Sequence, residues 1–444
     1  MPKHETDLTP ADSHGVWIVN HYASGPDWPA GTRHFDLARE LVARGHTVTI
    51  FAASISHWTG TERRLSAGRL FRSEWIDGVR FVWLRTLPYH GNTWRRQLNM
   101  LSFLVTFLVV QTRSEAPDAI VGSTVHPFAA LGAWVAARLR GARFIFEIRD
   151  LWPQTLVDLG AMRVGSPGER LLRALEAFLV RRASVVITLL PGMRDYLAEH
   201  GLPANHVVYI PNGANLAVFG GSAPVDDGEP EAVARCLDEV RRLKSAGRFV
   251  LAYLGAFGRV NRIDVIVAAA AIAEQRSPGR VGVLLVGEGP ARAEAELLTA
   301  ADPAVAFGPA VPKRFVPSIL RAVDATIVHT TYTPVYRYGI SFNKLFEYMA
   351  AGRPVVFACE SAYDPVRSTR AGLTVQPDDP ERLADVFLEL AAATPEARAA
   401  MGAAGRAYVA REHNIERLGE TFAAVVEGRL SSNTNGALPP SIPG

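Results

Sequence analysis

The sequence predicts an α/β protein made of two doubly wound, Rossmann-like domains that face each other across a cleft. The chain has 444 residues, which is more than one hydrophobic core normally serves. Short runs rich in Val and Ile alternate with longer helical stretches along its whole length. These runs are apolar on both faces, which is typical of parallel strands buried between two layers of helices.

Thirteen strand candidates support this prediction, seven in the first half of the chain and six in the second. Those of the first half lie at 16–20, 47–53, 79–85, 119–123, 143–148, 184–189 and 206–210. Those of the second half lie at 249–255, 281–287, 305–308, 325–330, 354–358 and 373–376. Because strand–helix–strand units cross over in one hand, ligands are expected at the carboxyl ends of these strands.

Composition sets the expected domain boundaries. Residues 1–212 form the first domain and residues 248–410 the second. Between them, residues 213–247 are rich in Gly, Pro and acidic residues with one helix inside, which predicts an interdomain linker region. A last helix over 411–428 is expected to cross back to the first domain, and the Pro- and Ser-rich residues 429–444 are expected to be a disordered tail.

Overall composition indicates a soluble, cytoplasmic protein that does not bind nucleic acid. The chain is 48% hydrophobic and 20% charged, with a net charge of +3. Its two cysteines, Cys236 and Cys359, make no disulfide framework, and its first residues lack the apolar stretch of a signal peptide. Residues 1–215 carry a small surplus of basic residues, which is too scattered for nucleic acid. It fits either a weak approach to an anionic surface or a solvated, Arg-rich face.

The stretch 93–111 raises the question of membrane contact. Its apolar part, 100–110, is far shorter than the ~20 residues that a spanning helix needs. Two interpretations stay open. The stretch is either a core helix or an interfacial helix with Trp94, Arg95 and Arg96 at the lipid boundary.

The strongest candidate site is SFNKLFEYMAAGRPVV, residues 341–356. Ser341 is expected to cap a helix whose N-terminus, with Asn343 and Lys344, lies at the carboxyl edge of the second sheet. The unpaired N–H groups there favour a phosphate, and Lys344 adds positive charge. Glu347, one turn further on, is placed to accept hydrogen bonds from a ribose diol. The alternative, a surface ion pair between Lys344 and Glu347, fits their apolar neighbours less well.

Other candidate phosphate contacts lie at strand ends or helix starts. Gly31 lets a ligand approach the backbone closely, and Arg33 in the following helical turn calls for a nearby anion. Arg259 and Arg262 follow a strand in a glycine-containing turn, and Arg binds phosphates in a bidentate manner. Gly287 begins a tight turn that lacks the full dinucleotide fingerprint.

Polar residues also follow two strands of the first domain. His126 lies between a strand and a helix, where a structural and a functional role are equally expected. Glu147, Arg149 and Asp150 end the next strand, and charged residues there need a ligand, a partner or water. No metal motif of the CxxC, HExxH or DxD type stands out, so no metal is expected.

Three of these segments resemble the retaining glycosyltransferases of family 4, which have the GT-B fold. They are NHYASGPDWPAGTRHFDLARELVARGHTVTIFAAS, VVYIPNG and GISFNKLFEYMAAGRPVV, and the resemblance spans nearly the whole chain. It is nearest to the bacterial branch that makes O-antigen and capsular sugars, including N-acetylfucosamine transferases.

The resemblance implies roles for these residues. Glu347 matches the ribose-binding glutamate, Arg259 and Lys344 the diphosphate contacts, Gly31 the glycine loop, and His126 the active-site histidine. The implied catalytic set is His126, Arg259, Lys344 and Glu347. The implied donor-binding set is Gly31, Arg33, Arg262, Gly287, Ser341, Asn343 and Glu347, and the acceptor-side set is Glu147, Arg149 and Asp150.

Two positions depart from the family pattern. Gly339 stands eight residues before Glu347, where many members have a first glutamate that contacts the sugar. The lysine that usually follows the phosphate-binding arginine is replaced, with Asn261 and Arg262 nearby. Arg262 is expected to take over its charge.

The implied function is retaining transfer of a hexosyl group, N-acetylated or deoxy, from a UDP-sugar without a metal. The implied acceptor is a hydroxyl of a saccharide or polyprenyl-linked saccharide in cell-surface polysaccharide biosynthesis, reached in the cytoplasm or at the inner membrane face. Two alternatives stay open. A GT-B nucleotide-sugar epimerase would need paired acidic and His groups. An inactive GT-B scaffold that partners another transferase would fit the missing first glutamate.

Overall fold

The computed structural model describes residues 13–28, 31–55, 62, 64–89, 94–124, 126–220, 230–299 and 302–432. Their internal contacts divide the chain into two compact units. The first unit contains the chain up to Gly25, Thr32–Pro211 and the residues from Glu416, and the second contains Pro26–Gly31 and Asn212–Ile415.

The elements alternate between strand and helix through most of both units. The strands are β1 Gly15–Val19, β2 Thr47–Ala53, β3 Phe71–Ile76, β4 Val79–Leu84, β5 Ala119–Ser123, β6 Arg143–Ile148, β7 Val185–Thr188, β8 Val207–Tyr209, β9 Phe249–Leu254, β10 Val281–Val286, β11 Val305–Gly308, β12 Ala325–His329, β13 Val355–Ala358 and β14 Gly372–Val375. The helices are α1 Arg33–Ala43, α2 Trp94–Val110, α3 Pro127–Arg140, α4 Gln154–Asp158, α5 Pro167–Arg182, α6 Met193–Glu199, α7 Leu216–Gly220, α8 Glu231–Ser245, α9 Ile263–Arg276, α10 Arg292–Leu298, α11 Val316–Ala322, α12 Asn343–Ala350, α13 Pro365–Thr369, α14 Pro380–Ala392, α15 Pro395–Glu412 and α16 Ile415–Val426.

The sheet of the first unit has the order β3-β4-β2-β1-β5-β6-β7-β8 and is parallel except for β3. The central strands β1, β5 and β6 are almost fully buried, as their uninterrupted apolar runs predict. Strand β3 was missing from the sequence prediction. Its sequence FRSEWI is half polar and largely exposed, because β3 is an antiparallel edge strand with only one neighbour.

Helix α2 has two different faces. Its inner face is buried and includes Met100, Phe103 and Phe107. On this face, α2 is therefore a core helix, as one of the two interpretations of 93–111 expects. Its outer face carries exposed Trp94 and Leu101. In the described part of the chain, no helix combines the length and the apolar character that crossing a membrane requires.

A buried carboxyl group on α5 ties this helix to α6. Both carboxylate oxygens of Glu176 lie within 3.0 Å of the Tyr196 hydroxyl, which donates to them. Burial raises the pKa of Glu176 to about 8, although the Tyr196 hydroxyl and Arg173 oppose the shift. Since the pKa of Glu176 in the folded chain exceeds its unfolded value, its stabilising contribution is complete below the unfolded pKa and is lost as pH rises towards 8.

We therefore expect Glu176→Gln to stabilise the protein at pH 8 but not at pH 5. Glutamine still accepts the Tyr196 hydroxyl and avoids a buried charge, a gain of about 2 kcal/mol or roughly 5 °C in Tm at pH 8. Thermal unfolding of both proteins at the two pH values measures this. An equal Tm difference at pH 5 and pH 8 would contradict the raised pKa.

The sheet of the second unit has the order β11-β10-β9-β12-β13-β14 and is parallel throughout. Apolar clusters cover both of its faces. Helix α8 lies in one of them, with Val233, Cys236 and Leu243 fully buried. The expectation of a linker over 213–247 is therefore corrected, because α8 is an integral helix of the second unit, which begins at Asn212.

The predicted last helix, 411–428, is two segments in the structure. Helix α15 ends at Glu412 and α16 begins at Ile415. Between them, the buried ring of His413 stacks on Phe346 at 3.8 Å and bonds the carbonyl of Asn212, which ends the helix.

From Glu416 the chain belongs to the first unit. There the Arg143 guanidinium donates to the carbonyls of Val425 and Val426 at 2.9 and 3.0 Å. His46 lies 3.0 Å from a carboxylate oxygen of Glu427. Of the predicted tail, 429–444, residues 433–444 lie outside the described residues.

Candidate functional site

The helix α12 carries the strongest group of predicted site residues, and its start differs from the prediction. The helix begins at Asn343, and no side chain caps it. Ser341 is not its cap, because the Ser341 hydroxyl accepts the backbone N–H of Asn212 at 2.9 Å and its carbonyl accepts the Asn212 amide. The first N–H groups of α12 therefore have no side-chain acceptor, and they can bind an anion.

Lys344 lies in the first turn of α12, and its neighbours and its burial change the pKa of its ammonium group. Its ammonium donates to the Tyr253 hydroxyl at 2.8 Å and to Asn261 at 3.3 Å. It also lies 4.2 Å from the centre of the Tyr253 ring. Burial lowers the pKa of Lys344 to about 7, although the charge of Glu347 opposes this shift. An anion that binds beside Lys344 therefore favours the protonated, positively charged form of this side chain.

Glu347 points to a different partner, so the alternative of a Lys344–Glu347 surface pair does not hold. One carboxylate oxygen of Glu347 contacts the ammonium of Lys313, and the residue is 6% exposed. The other oxygen has no hydrogen bond within the described chain. A carboxylate has about four acceptor positions, so this group retains capacity for a diol.

Sequence reasoning missed Lys313 and His329. Lys313 follows β11, and His329 is the last residue of β12. The His329 Nδ1 atom is buried without a partner, while its Nε2 atom accepts the N–H of Asp378 at 3.2 Å. Burial lowers the pKa of His329 to about 4, so its ring is neutral at pH 7. A polar residue at or after the end of a buried strand is the signal that identified His126, and it applies to both residues.

The two arginines after β9 differ in their availability. Arg262, in a left-handed conformation at φ 43°, forms ion pairs with Asp264 and Asp378 at 2.9 Å each. Two carboxylates thus already offset the charge that Arg262 was expected to supply to a phosphate. Arg259 is exposed, and no hydrogen bond or ion pair reaches its guanidinium within the described chain. Arg259 is therefore the arginine of this turn that can bind an added anion.

Two glycines mark places where backbone or ligand must come close. A Cβ added at Gly287 would lie 1.9 Å from the carbonyl oxygen of Gly255, so only glycine fits this turn. Arg292 closes the turn by donating to the carbonyls of Gly287 and Gly308 at 2.6 and 2.9 Å. Gly31 groups with the second unit, and a Cβ there would lie 2.5 Å from the Asn343 amide nitrogen.

In the first unit, His126 pairs with a second histidine that sequence reasoning did not select. His126 is fully buried at the start of α3, with its Nε2 atom 2.8 Å from Nδ1 of His21. Its Nδ1 atom is buried without a partner. Burial lowers the pKa of His126 to about 3, with a smaller contribution from Arg96, so the ring is neutral. The neutral ring therefore keeps one unused hydrogen-bonding position, which is buried in this structure.

Glu147 and Arg33, predicted for opposite sides of the reaction, bind each other instead. The Arg33 guanidinium lies 3.0 Å from a carboxylate oxygen of Glu147, and both side chains are almost completely buried. Arg33 also donates to the carbonyls of Ile210 and Pro211 at 2.7 and 2.5 Å. The anion that was expected near Arg33 is thus the carboxylate of Glu147, and neither side chain reaches the surface.

The other two acceptor-side candidates lie just beyond β6. Asp150 is exposed, and the backbone N–H of Arg149 donates to the Thr124 hydroxyl at 3.0 Å. The Nε atom of Arg149 is buried without a partner. Within the described ranges, no group of three or more His, Cys, Asp or Glu side chains is arranged to hold a metal ion.

A curated relative is similar to about half of the chain. The putative colanic acid biosynthesis glycosyl transferase WcaI of Escherichia coli K12 is 28% identical over 243 residues, which are 53% of this chain and 57% of WcaI. The match thus spans little more than half the length of that relative.

Solved structures are similar over nearly the whole chain. Sucrose-phosphate synthase from Thermosynechococcus elongatus has a TM-score of 0.68 and 20% identity, covering 94% of this chain and 98% of that one. HepE from Anabaena, in complex with UDP and glucose, has a TM-score of 0.65 and 15% identity, covering 94% and 100%. At these identities the likeness shows the fold, which is GT-B as the sequence predicted.

Family models match both units. Residues 30–213 match the glycosyl transferase 4-like domain, and residues 248–393 match the glycosyl transferases group 1 domain. The two matches occur in this order on a GT-B fold, and the relative WcaI is also named as a glycosyl transferase. The chain therefore belongs to the glycosyltransferases of family 4.

Proposed function

We propose that this protein transfers a hexosyl group, with retention, from a UDP-sugar to a hydroxyl of a saccharide acceptor. The observation that carries the proposal is the first turn of α12. It presents uncapped N–H groups and an ammonium whose pKa is lowered to about 7, and one turn further on it holds a carboxylate with a free oxygen. These are the groups that a nucleoside diphosphate and its ribose require.

The diphosphate is the leaving group of the reaction, so negative charge grows on it in the transition state. The N-terminus of α12, Lys344 and the exposed guanidinium of Arg259 supply fixed positive potential in the same unit. Such preorganised groups lower the barrier because they need no reorientation as the charge develops. The proposal calls for no metal ion, since these groups offset the charge of the diphosphate.

The sugar is the part of the donor for which the site departs from the family pattern. Gly339 has φ 102°, a conformation that side-chain-bearing residues rarely adopt. A glutamate at this position would be strained. The contact that many family members make to the donor sugar through this glutamate is therefore made here by backbone groups or other side chains. We propose a donor sugar with an N-acetyl or deoxy group, in line with the N-acetylfucosamine-type branch.

The acceptor is proposed from the first unit and from the relative's name. We propose that the buried, unpartnered Nδ1 atom of neutral His126 takes the hydrogen bond of the attacking hydroxyl when the acceptor binds. WcaI is named for colanic acid biosynthesis, a polysaccharide. We propose a polyprenyl-linked saccharide as acceptor and a cytoplasmic protein that works peripherally at the inner membrane face.

UDP binding to Glu347 variants tests the donor site. We expect Glu347→Ala to weaken UDP binding at least about tenfold, because two charge-assisted hydrogen bonds from the ribose are lost. Lys313→Met is the matched control, since it breaks the same ion pair but leaves the carboxylate in place. Its UDP affinity is expected to stay within about threefold of the wild-type value. Titration calorimetry with UDP, in the presence and absence of EDTA, measures both.

Three outcomes would contradict this proposal. Equal effects of the two variants would mean that Glu347 serves only the ion pair. Loss of binding with EDTA would mean that a metal takes part. No UDP binding by the wild-type protein would favour an inactive scaffold over a transferase.

A further inference from the structure

The outer face of α2 carries a continuous apolar stripe. Five large apolar side chains recur at spacings of four, three, four and four residues, so they lie on one side of the helix. Each is 40–68% exposed, and together they form what we call the outer stripe: Trp94, Leu98, Leu101, Val105 and Val109. Scattered exposed apolar residues are ordinary, but a stripe along a 17-residue helix, about 25 Å long, indicates a binding surface.

The charge around the stripe indicates what it binds. The helix that carries the stripe contains no acidic residue, and Arg95 and Arg96 lie in its first turn. Exposed Arg95 lies beside exposed Trp94 at the start of the helix, with its guanidinium 5.9 Å from the indole. An apolar stripe with an aromatic residue and arginines, and without carboxylates, is complementary to an anionic lipid surface.

We propose that the outer stripe of α2 docks the protein on an anionic lipid bilayer. The helix then lies in the plane of the interface, because its 17 residues are too few to cross the membrane and its inner face is buried in the protein. This inference rests on the proposed function, since it supplies the surface on which a polyprenyl-linked acceptor is reached.

The inner face of the same helix connects docking to the candidate site. Phe103, on this face, stacks against His21 with ring centres 4.6 Å apart, and His21 bonds His126. One helix thus separates the histidine pair from the docking surface. An acceptor whose lipid stays in the bilayer has its sugar hydroxyls only about one helix diameter from this pair.

Vesicle sedimentation tests the proposal on the full-length protein. We expect wild-type protein to bind vesicles of phosphatidylcholine with about 30 mol% phosphatidylglycerol and to bind pure phosphatidylcholine more weakly. Leu101→Gln/Val105→Gln is expected to reduce partitioning at least about tenfold, since glutamine keeps the helix and removes the apolar contact. Arg95→Gln is expected to reduce it about fivefold on anionic vesicles only.

The control is Leu297→Gln, which changes an even more exposed leucine on α10 of the second unit. Its vesicle binding is expected to equal that of the wild-type protein. The proposal is overturned if wild-type protein ignores anionic vesicles or if the double variant binds them equally well. It is also overturned if wild-type protein is a dimer that the double variant makes monomeric, because the stripe then covers a second copy.

UDP titration of the same proteins separates this inference from the proposed function. Normal UDP binding with no vesicle binding would remove the docking surface and leave the donor site intact. Vesicle binding that depends on the stripe, without UDP binding, would support the docking surface and reject the transferase proposal.

Discussion

Glu147→Gln is expected to lower the free energy of unfolding by about 3–5 kcal/mol, because it leaves the buried Arg33 guanidinium without its counter-charge. Glu147 is the penultimate residue of β6. Its carboxylate oxygens have four polar contacts, with Arg33 Nε and Nη2 at 3.0 Å, with His34 at 2.6 Å and with Ser123 at 2.5 Å. Burial alone would raise the pKa of Glu147, but Arg33 and His34 outweigh it and hold this pKa well below its usual value. The carboxylate is thus ionised at neutral pH, and its stabilising effect is lost only as pH falls into the acid range.

The measurement is thermal or urea unfolding of both proteins at pH 7. The expected loss corresponds to a drop in Tm of roughly 10 °C for a unit of this size. Glu420→Gln is the matched control, because Glu420 lies in the same unit with a 69% exposed side chain, 3.8 Å from Arg44. It is expected to cost at most about 1 kcal/mol. Equal losses in the two variants would show that the buried network is not stabilising.

The network also explains where sequence reasoning about the first unit succeeded and where it failed. The sequence showed that Arg33, at the positive end of a helix, needs an anion, and it placed Glu147 at the end of a buried strand. It could not show that the two side chains meet, because they are more than one hundred residues apart. Only the order of β1, β5 and β6 in the sheet brings them together. A ligand was therefore predicted where the chain supplies its own counter-charge.

A similar limit applies to the second unit. The alternation of strands and helices predicts its sheet, and the rule that ligands bind at the carboxyl ends of parallel strands selects α12 as the candidate site. The prediction of Ser341 as a helix cap failed because a residue of the preceding segment, Asn212, competes for the serine hydroxyl. Lys313 was missed because its partner, Glu347, is 34 residues further along the chain. Local patterns identify elements and their ends, whereas pairings between distant side chains depend on tertiary contacts.

Lys344→Met is expected to weaken UDP binding roughly 10- to 100-fold at pH 7 and to remove its dependence on pH above 7. In the ligand-free protein the pKa of Lys344 is about 7, because burial lowers it. A bound diphosphate favours the charged ammonium and raises this pKa. Binding then takes up a proton, so wild-type affinity is greatest below pH 7 and falls by up to tenfold per pH unit above it.

The neighbours of Lys344 allow this slope to be assigned to Lys344. Burial raises the pKa of Tyr253 well above its usual value and lowers that of His329 to about 4, so neither titrates between about pH 6 and 9. The ionisation of UDP, near pH 6, is common to all proteins compared and cancels in their affinity ratio. Calorimetry in buffers of different ionisation enthalpy measures the proton uptake directly. The control is Lys244→Met, an exposed lysine paired with Asp324, which should keep the wild-type slope. A slope that persists in Lys344→Met would assign the proton to another group and leave the uncapped N-terminus of α12 as the main phosphate contact.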